Sequence, residues 1–74
     1  MMKRYLIHVP SGRYLQPNGS WNENRDRALV FADAFTAIRY CVREHLGNAE
    51  LLLHFDDAEE MDLHISLKTV HHRN

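Results

Sequence analysis

The residues of this 74-residue chain best spaced for chemistry are His54, Asp62 and His64. They stand in two alternating apolar runs, residues 51–55 and 61–67, separated by the acidic stretch 56–60. If the runs close as a hairpin with Phe55 opposite Met61, then Leu53 meets Leu63 and Leu51 meets Ile65 on one face. The other face sets His54 against Asp62 and Leu52 against His64. Opposed Cβ atoms are about 5 Å apart and diagonal ones about 7 Å, so the two imidazoles and the carboxylate share a patch. That spacing allows an imidazole–carboxylate pair and two metal ligands. A zinc site takes three or four converging ligands, often thiolates, and the single thiol, Cys41, belongs elsewhere. The patch therefore reads as the polar, outward face of a sheet.

Other chemical groupings are weaker. Cys41 and His45 have the i,i+4 spacing that permits contact on a helix, but both are predicted to face the core, where a nucleophile meets no substrate. Asp56, Asp57, Glu59 and Glu60 lack the Asp-x-Asp-x-Asp-Gly spacing of a calcium loop and read as a solvated turn. The chain has no Gly-rich phosphate loop and no Gly-x-Ser-x-Gly elbow. Glu44 and Glu50 have no acidic partner fixed by local geometry. The sequence thus predicts no catalytic set, no metal site and no cofactor.

The elements that must position these residues follow from periodicity. Over residues 4–9, Tyr5, Ile7 and Val9 alternate with Leu6 and His8, as a strand requires. Pro10-Ser11-Gly12 turns the chain so that residues 13–16 return as a hairpin partner. Pro17-Asn18-Gly19-Ser20 is a second turn, after which Trp21 is expected to fold over the core as a lid. Residues 28–31 have the composition of a third strand. Asp33 is placed to cap a helix over residues 34–46, ended by Gly47 in the left-handed conformation.

At 100° per residue Ala34, Ile38, Cys41 and His45 form the apolar stripe of that helix, flanked by Phe35, Val42 and Leu46 on one side and Ala37 on the other. Arg39 and Arg43 lie opposite, and Tyr40 falls outside the stripe. The hairpin residues Leu51, Leu53, Phe55, Leu63, Ile65 and Leu67 are expected beneath the helix. Beyond residue 70, His71 and His72 belong to a tail, residues 71–74, expected to fray. The expected fold is α+β, in the order ββ(β)αββ: a small antiparallel sheet with one amphipathic helix on one face, forming a single domain over residues 1–70.

Tyr5-Leu6, Ser11-Gly12-Arg13-Tyr14-Leu15, Gly19-Ser20-Trp21, Ala28-x-x-Phe31 and Ala37-x-x-Tyr40-Cys41 together resemble a group of small bacterial and phage proteins. The resemblance covers residues 5–41 and implies a hairpin, a Gly-x-Trp segment, a strand and a helix. It implies no activity.

Nine Lys or Arg against ten Asp or Glu leave a formal net charge of -1, without the basic excess common in proteins that grip a phosphate backbone. The single cysteine excludes an internal disulfide. No apolar run approaches the ~20 residues that cross a bilayer, and a cytoplasmic location is expected. Two function classes follow. The preferred one is a protein-interaction or accessory module, self-associating as a homodimer or binding another protein. Its interface would comprise Leu52, His54, Asp62 and His64, with Leu6 and Tyr40 extending an apolar patch. The alternative is nucleic-acid binding through the basic N-terminal half, by Arg13, Arg25, Arg27, Arg39 and Arg43.

Overall fold

Alternation in the first and last thirds of the chain produces one antiparallel sheet. The computed structural model describes residues 1–57 and 60–67. Strand β1 (Met2–His8) turns into β2 (Arg13–Leu15), which is followed by a two-residue strand, β3 (Trp21–Asn22). A 3-10 turn (Arg25–Arg27) and helix α1 (Ala34–Arg43) precede the long hairpin of β4 (Ala49–Asp56) and β5 (Glu60–Ser66). The five strands lie in the order β3-β2-β1-β4-β5. The fold is α+β with one helix against one face of the sheet, as expected. The third strand is β3, not residues 28–31: that segment forms no strand and meets the sheet through an isolated bridge, Phe31 to Arg4, and a bond from Leu29 N to Leu15 O. The acidic residue Glu59, the end of the domain near residue 70 and the tail with His71 and His72 lie outside the described residues.

Both glycine turns form where the sequence places them, with Gly12 at φ 72° and Gly19 at φ 89°, a region that favours a residue without Cβ. The helix begins as expected, with the Asp33 carboxylate accepting a bond from Thr36 N at 2.8 Å. It ends earlier than expected. His45, at φ 57°, takes the left-handed position assigned to Gly47. Leu46 N donates to Cys41 O at 2.9 Å and His45 N to Val42 O at 3.2 Å, the paired bonds of a Schellman terminus. Consequently His45 is exposed and leaves the apolar stripe.

The buried side of α1 is also rotated from the expected one. Ala37 and Cys41 are fully buried, whereas Phe35 and Val42 are 67% and 47% exposed. The small side chains of Ala37 and Cys41 let the helix seat closely, and Tyr40 joins that side by meeting Phe31 edge-on at 5.7 Å. The helix packs on β1 and β4. A helix about 10–12 Å in diameter covers little more than two strands spaced about 4.8 Å apart. Leu63 and Ile65, expected in the core, therefore stand exposed on β5, and Met61 beside them does too.

The register of the last hairpin matches the expectation pair for pair: Leu51↔Ile65, Leu52↔His64, Leu53↔Leu63, His54↔Asp62 and Phe55↔Met61. Opposed residues share a face, so β1 and β4, paired Tyr5↔Leu52 and Leu6↔Leu51, divide the core in two. On the helix side Leu6, Leu15, Leu51 and Phe31 gather with Ala37 and Cys41, and Trp21 packs against them as a lid. On the far side Tyr5, Ile7 and Leu52 form a second cluster covered by Tyr14 and Ala28. Leu6 thus faces the helix, and it forms no outer patch with Leu52 and Tyr40.

Candidate functional site: the outer face and edge of the last hairpin

Register alone brings His54 and Asp62 together, and a residue from a distant loop completes the group. Asn24 caps the 3-10 turn by accepting from Asp26 N at 3.0 Å. Gln16, itself buried, donates from Nε2 to Tyr14 O at 3.1 Å and Asn24 O at 3.4 Å, holding the turn against β2. Arg25 is thereby laid across the far side of the sheet, 5.3 Å from the Tyr14 ring centroid and 5.9 Å from that of Tyr5. Its Nη2 donates to Tyr14 Oη at 3.0 Å and to Asp62 Oδ2 at 3.1 Å. His54 Nδ1 lies 2.6 Å from Asp62 Oδ1.

The hydrogen bond from His54, reinforced by the Arg25 charge, holds the Asp62 carboxyl below its ordinary range against the opposing effect of partial burial. Arg25, bonded to Tyr14 and facing Asp62, is held in its charged form. The group joins β2, β4, β5 and the 3-10 turn. An open cleft beside it is lined by Arg25, His54, Glu60, Met61 and Asp62. That lining contains no hydroxyl or thiol for the imidazole to activate.

The remaining expected site residues separate. His64 shares the far side with His54, but its Nδ1 turns to Glu50 Oε1 at 3.0 Å. Among the described residues, no group of three or more His, Cys, Asp or Glu side chains is placed to hold a metal. Leu52 points away from the helix, as expected, but it is 1% exposed. Tyr5, Ile7, Tyr14 and Ala28 occupy the area the sequence left open for a partner. His54 is likewise buried. On this face Asp62 and His64 remain accessible.

The five arginines assigned to nucleic acid do not form one surface. Arg25 is engaged on the far side of the sheet. Arg39 and Arg43 ride on the helix, each 5.6 Å from an aromatic centroid, Phe35 and Tyr40. Arg13 is opposite His8 in β2, on the helix side. Arg27 borders a polar hollow with Gln16, Asn18 and Asn24.

Sequence reasoning missed the role of Arg25, which lies 29 residues from His54 and 37 from Asp62. No local pattern marks it. It also missed the exposed side of β5. That side was legible in principle, because a single short helix cannot cover every strand of the sheet.

Cys41 is fully buried, and burial pushes its thiol up to about 11. With His45 turned out to solvent, the two form no nucleophilic pair. Asp56 and Asp57 of the acidic turn both approach the Met1 ammonium. No helix among the described residues is long and apolar enough to cross a membrane. Compared with known proteins, the chain matches no family model, no curated protein and no solved structure.

Proposed function

We propose that the protein is a small non-enzymatic interaction module whose contact surface is the outer edge of β5 and the apolar stripe on its helix side. One observation carries this reading. Met61, Leu63 and Ile65 are 56%, 49% and 39% exposed and project from one face of an edge strand. Single exposed apolar residues are ordinary, but a contiguous row on a strand that, among the described residues, pairs with a neighbour on one side alone is a template for strand addition. Further support comes from the Arg25–Asp62 and His54–Asp62 contacts, which fix β5 from the far side and present its edge in one conformation. The division of the arginines between two faces, with Arg25 engaged internally, favours this reading over nucleic-acid binding.

Amide hydrogen exchange over residues 61–65 tests it. In dilute protein the outward amides of β5 should exchange far faster than those of β1. Slow exchange of these amides in a monomer would mean that the edge is already covered by its own chain, and the reading would fail.

A further inference from the structure

We infer that the occupant of the β5 edge is a second copy of this chain, paired antiparallel about a two-fold axis through Leu63. The inference rests on the reading of β5 as the contact surface and adds the partner and the register.

Residues directly opposite in an antiparallel pair point to the same side. A two-fold axis normal to the sheet pairs each residue with its mirror position about the central one, a self-complementary arrangement. Centred on Leu63, it sets Leu63 against Leu63 of the other copy, Met61 against Ile65 twice, and Asp62 against His64 twice. The helix-side stripe of each strand then continues into the other, and six partly exposed apolar side chains adjoin across the seam. On the far side each carboxylate meets an imidazole.

Charge disfavours the neighbouring register at Asp62. Shifting the axis there places the two Asp62 carboxylates opposite each other, and like charges directly opposed in a sheet are destabilising. The axis at Leu63 instead sets each carboxylate against an imidazole, a hydrogen-bonding partner. An axis falling between two residues would turn the apolar stripe of one copy to the polar side of the other.

The strand itself is suited to pairing. Residues 61–65, which carry the register, contain no proline and no lysine, the residues that most often blunt an edge strand. The opposite edge of the sheet, β3, has only two residues. The Asp62 and His64 side chains remain anchored within their own chain by His54, Arg25 and Glu50, so ordering them on association costs little further entropy.

Sedimentation of the parent protein from low micromolar to about 1 mM, with exchange of the β5 amides measured in parallel, tests the partner. The expected result is a monomer–dimer equilibrium in which residues 61–65 become protected as the dimer fills. Leu63→Cys tests the register, because opposed Cα atoms lie about 4.5–5.5 Å apart, within disulfide range. Under mild oxidation it should give a covalent dimer, while the buried Cys41 does not react. Met61→Cys alone should stay monomeric on a reducing-free gel, and a mixture of Met61→Cys with Ile65→Cys should cross-link.

A protein that stays monomeric throughout, with fast-exchanging β5 amides, overturns the second copy as occupant and leaves the edge as a surface. A monomer whose β5 amides are slow overturns both the inference and the reading beneath it. A dimer in which neither Leu63→Cys nor the Met61→Cys and Ile65→Cys mixture cross-links overturns the two-fold axis at Leu63.

Discussion

His54 Nδ1 stands 2.6 Å from Asp62 Oδ1, and the same nitrogen lies 3.0 Å from Arg25 Nη1. A ring nitrogen cannot donate to the carboxylate and accept from the guanidinium at once. The shorter contact is to an anion, so the Nδ1 proton belongs to the bond with Asp62. Arg25 is then held by Asp62 Oδ2 and Tyr14 rather than by the imidazole. Asp62 becomes the shared acceptor that ties β5 to both the β4 histidine and the 3-10 turn.

Replacing Asp62 by Asn should therefore destabilise the protein in a pH-dependent way. The folded carboxyl titrates below its ordinary value of 3.8, so its contribution to stability is present above the unfolded pKa and disappears as pH falls through the folded one. Urea unfolding of parent and Asp62→Asn across the acid range should show a gap near neutrality that closes under acid. A gap of constant size at all pH values would mean that the carboxylate charge contributes nothing.

Leu52 and Leu63 should respond unequally to truncation, and in the reverse of the order that alternation alone gives them. Leu52→Ala removes a 1% exposed side chain from the far-side cluster and should cost about 2–5 kcal/mol. Leu63→Ala, at 49% exposure, should cost less than about 1 kcal/mol in dilute protein. Denaturant midpoints measured at low micromolar concentration decide it, and equal losses would contradict the uneven covering of the two strands.

The contrast marks where the sequence was readable. The β4–β5 register was legible because Leu51, Leu53 and Phe55 alternate on one strand and Met61, Leu63 and Ile65 on the other, and the shortest closure across the acidic residues 56–60 sets Phe55 against Met61. The cap at Asp33 and the turns at Gly12 and Gly19 were legible because each depends on one residue type at one local position. The burial of Leu52 was not, since it depends on β4 being a central strand and on a loop some 25 residues away lying across it. The same holds for His54 and Asp62: their adjacency followed from register, but the third member, Arg25, came from tertiary packing.

Cys41 should react slowly with a disulfide-exchange reagent in native buffer and fast once the chain is unfolded. Burial leaves the thiol without access and raises it to about 11, which suppresses the thiolate. Complete labelling of folded protein on mixing would place Cys41 on the wrong side of α1.

The end of α1 offers a pair of substitutions with different expected outcomes. His45→Gly should stabilise the protein by about 0.5–1 kcal/mol, because a left-handed φ of 57° is costly for a residue with Cβ. Gly47→Ala should be neutral or slightly stabilising: Gly47 is not at positive φ, and nothing lies within 4 Å of an added Cβ. Thermal unfolding of the two variants checks both. A loss of stability in Gly47→Ala beside no change in His45→Gly would return the helix terminus to Gly47.

The sheet's two covers differ in how much charge holds them. The helix side is held by packed apolar side chains, whose hydration-driven cohesion weakens on cooling. The other cover, residues 24–28, is held by Ala28 packing on the far-side cluster and by the Gln16 bond to Asn24 O, and it adds through Arg25 a partly exposed ion pair and contacts with aromatic rings. Its electrostatic part weakens as dissolved ions screen the charges. Ionic strength therefore acts on one cover of the sheet more than on the other. In concentrated salt, amides of residues 24–28 should exchange faster while those of α1 hold, and a uniform change across the chain would count against it.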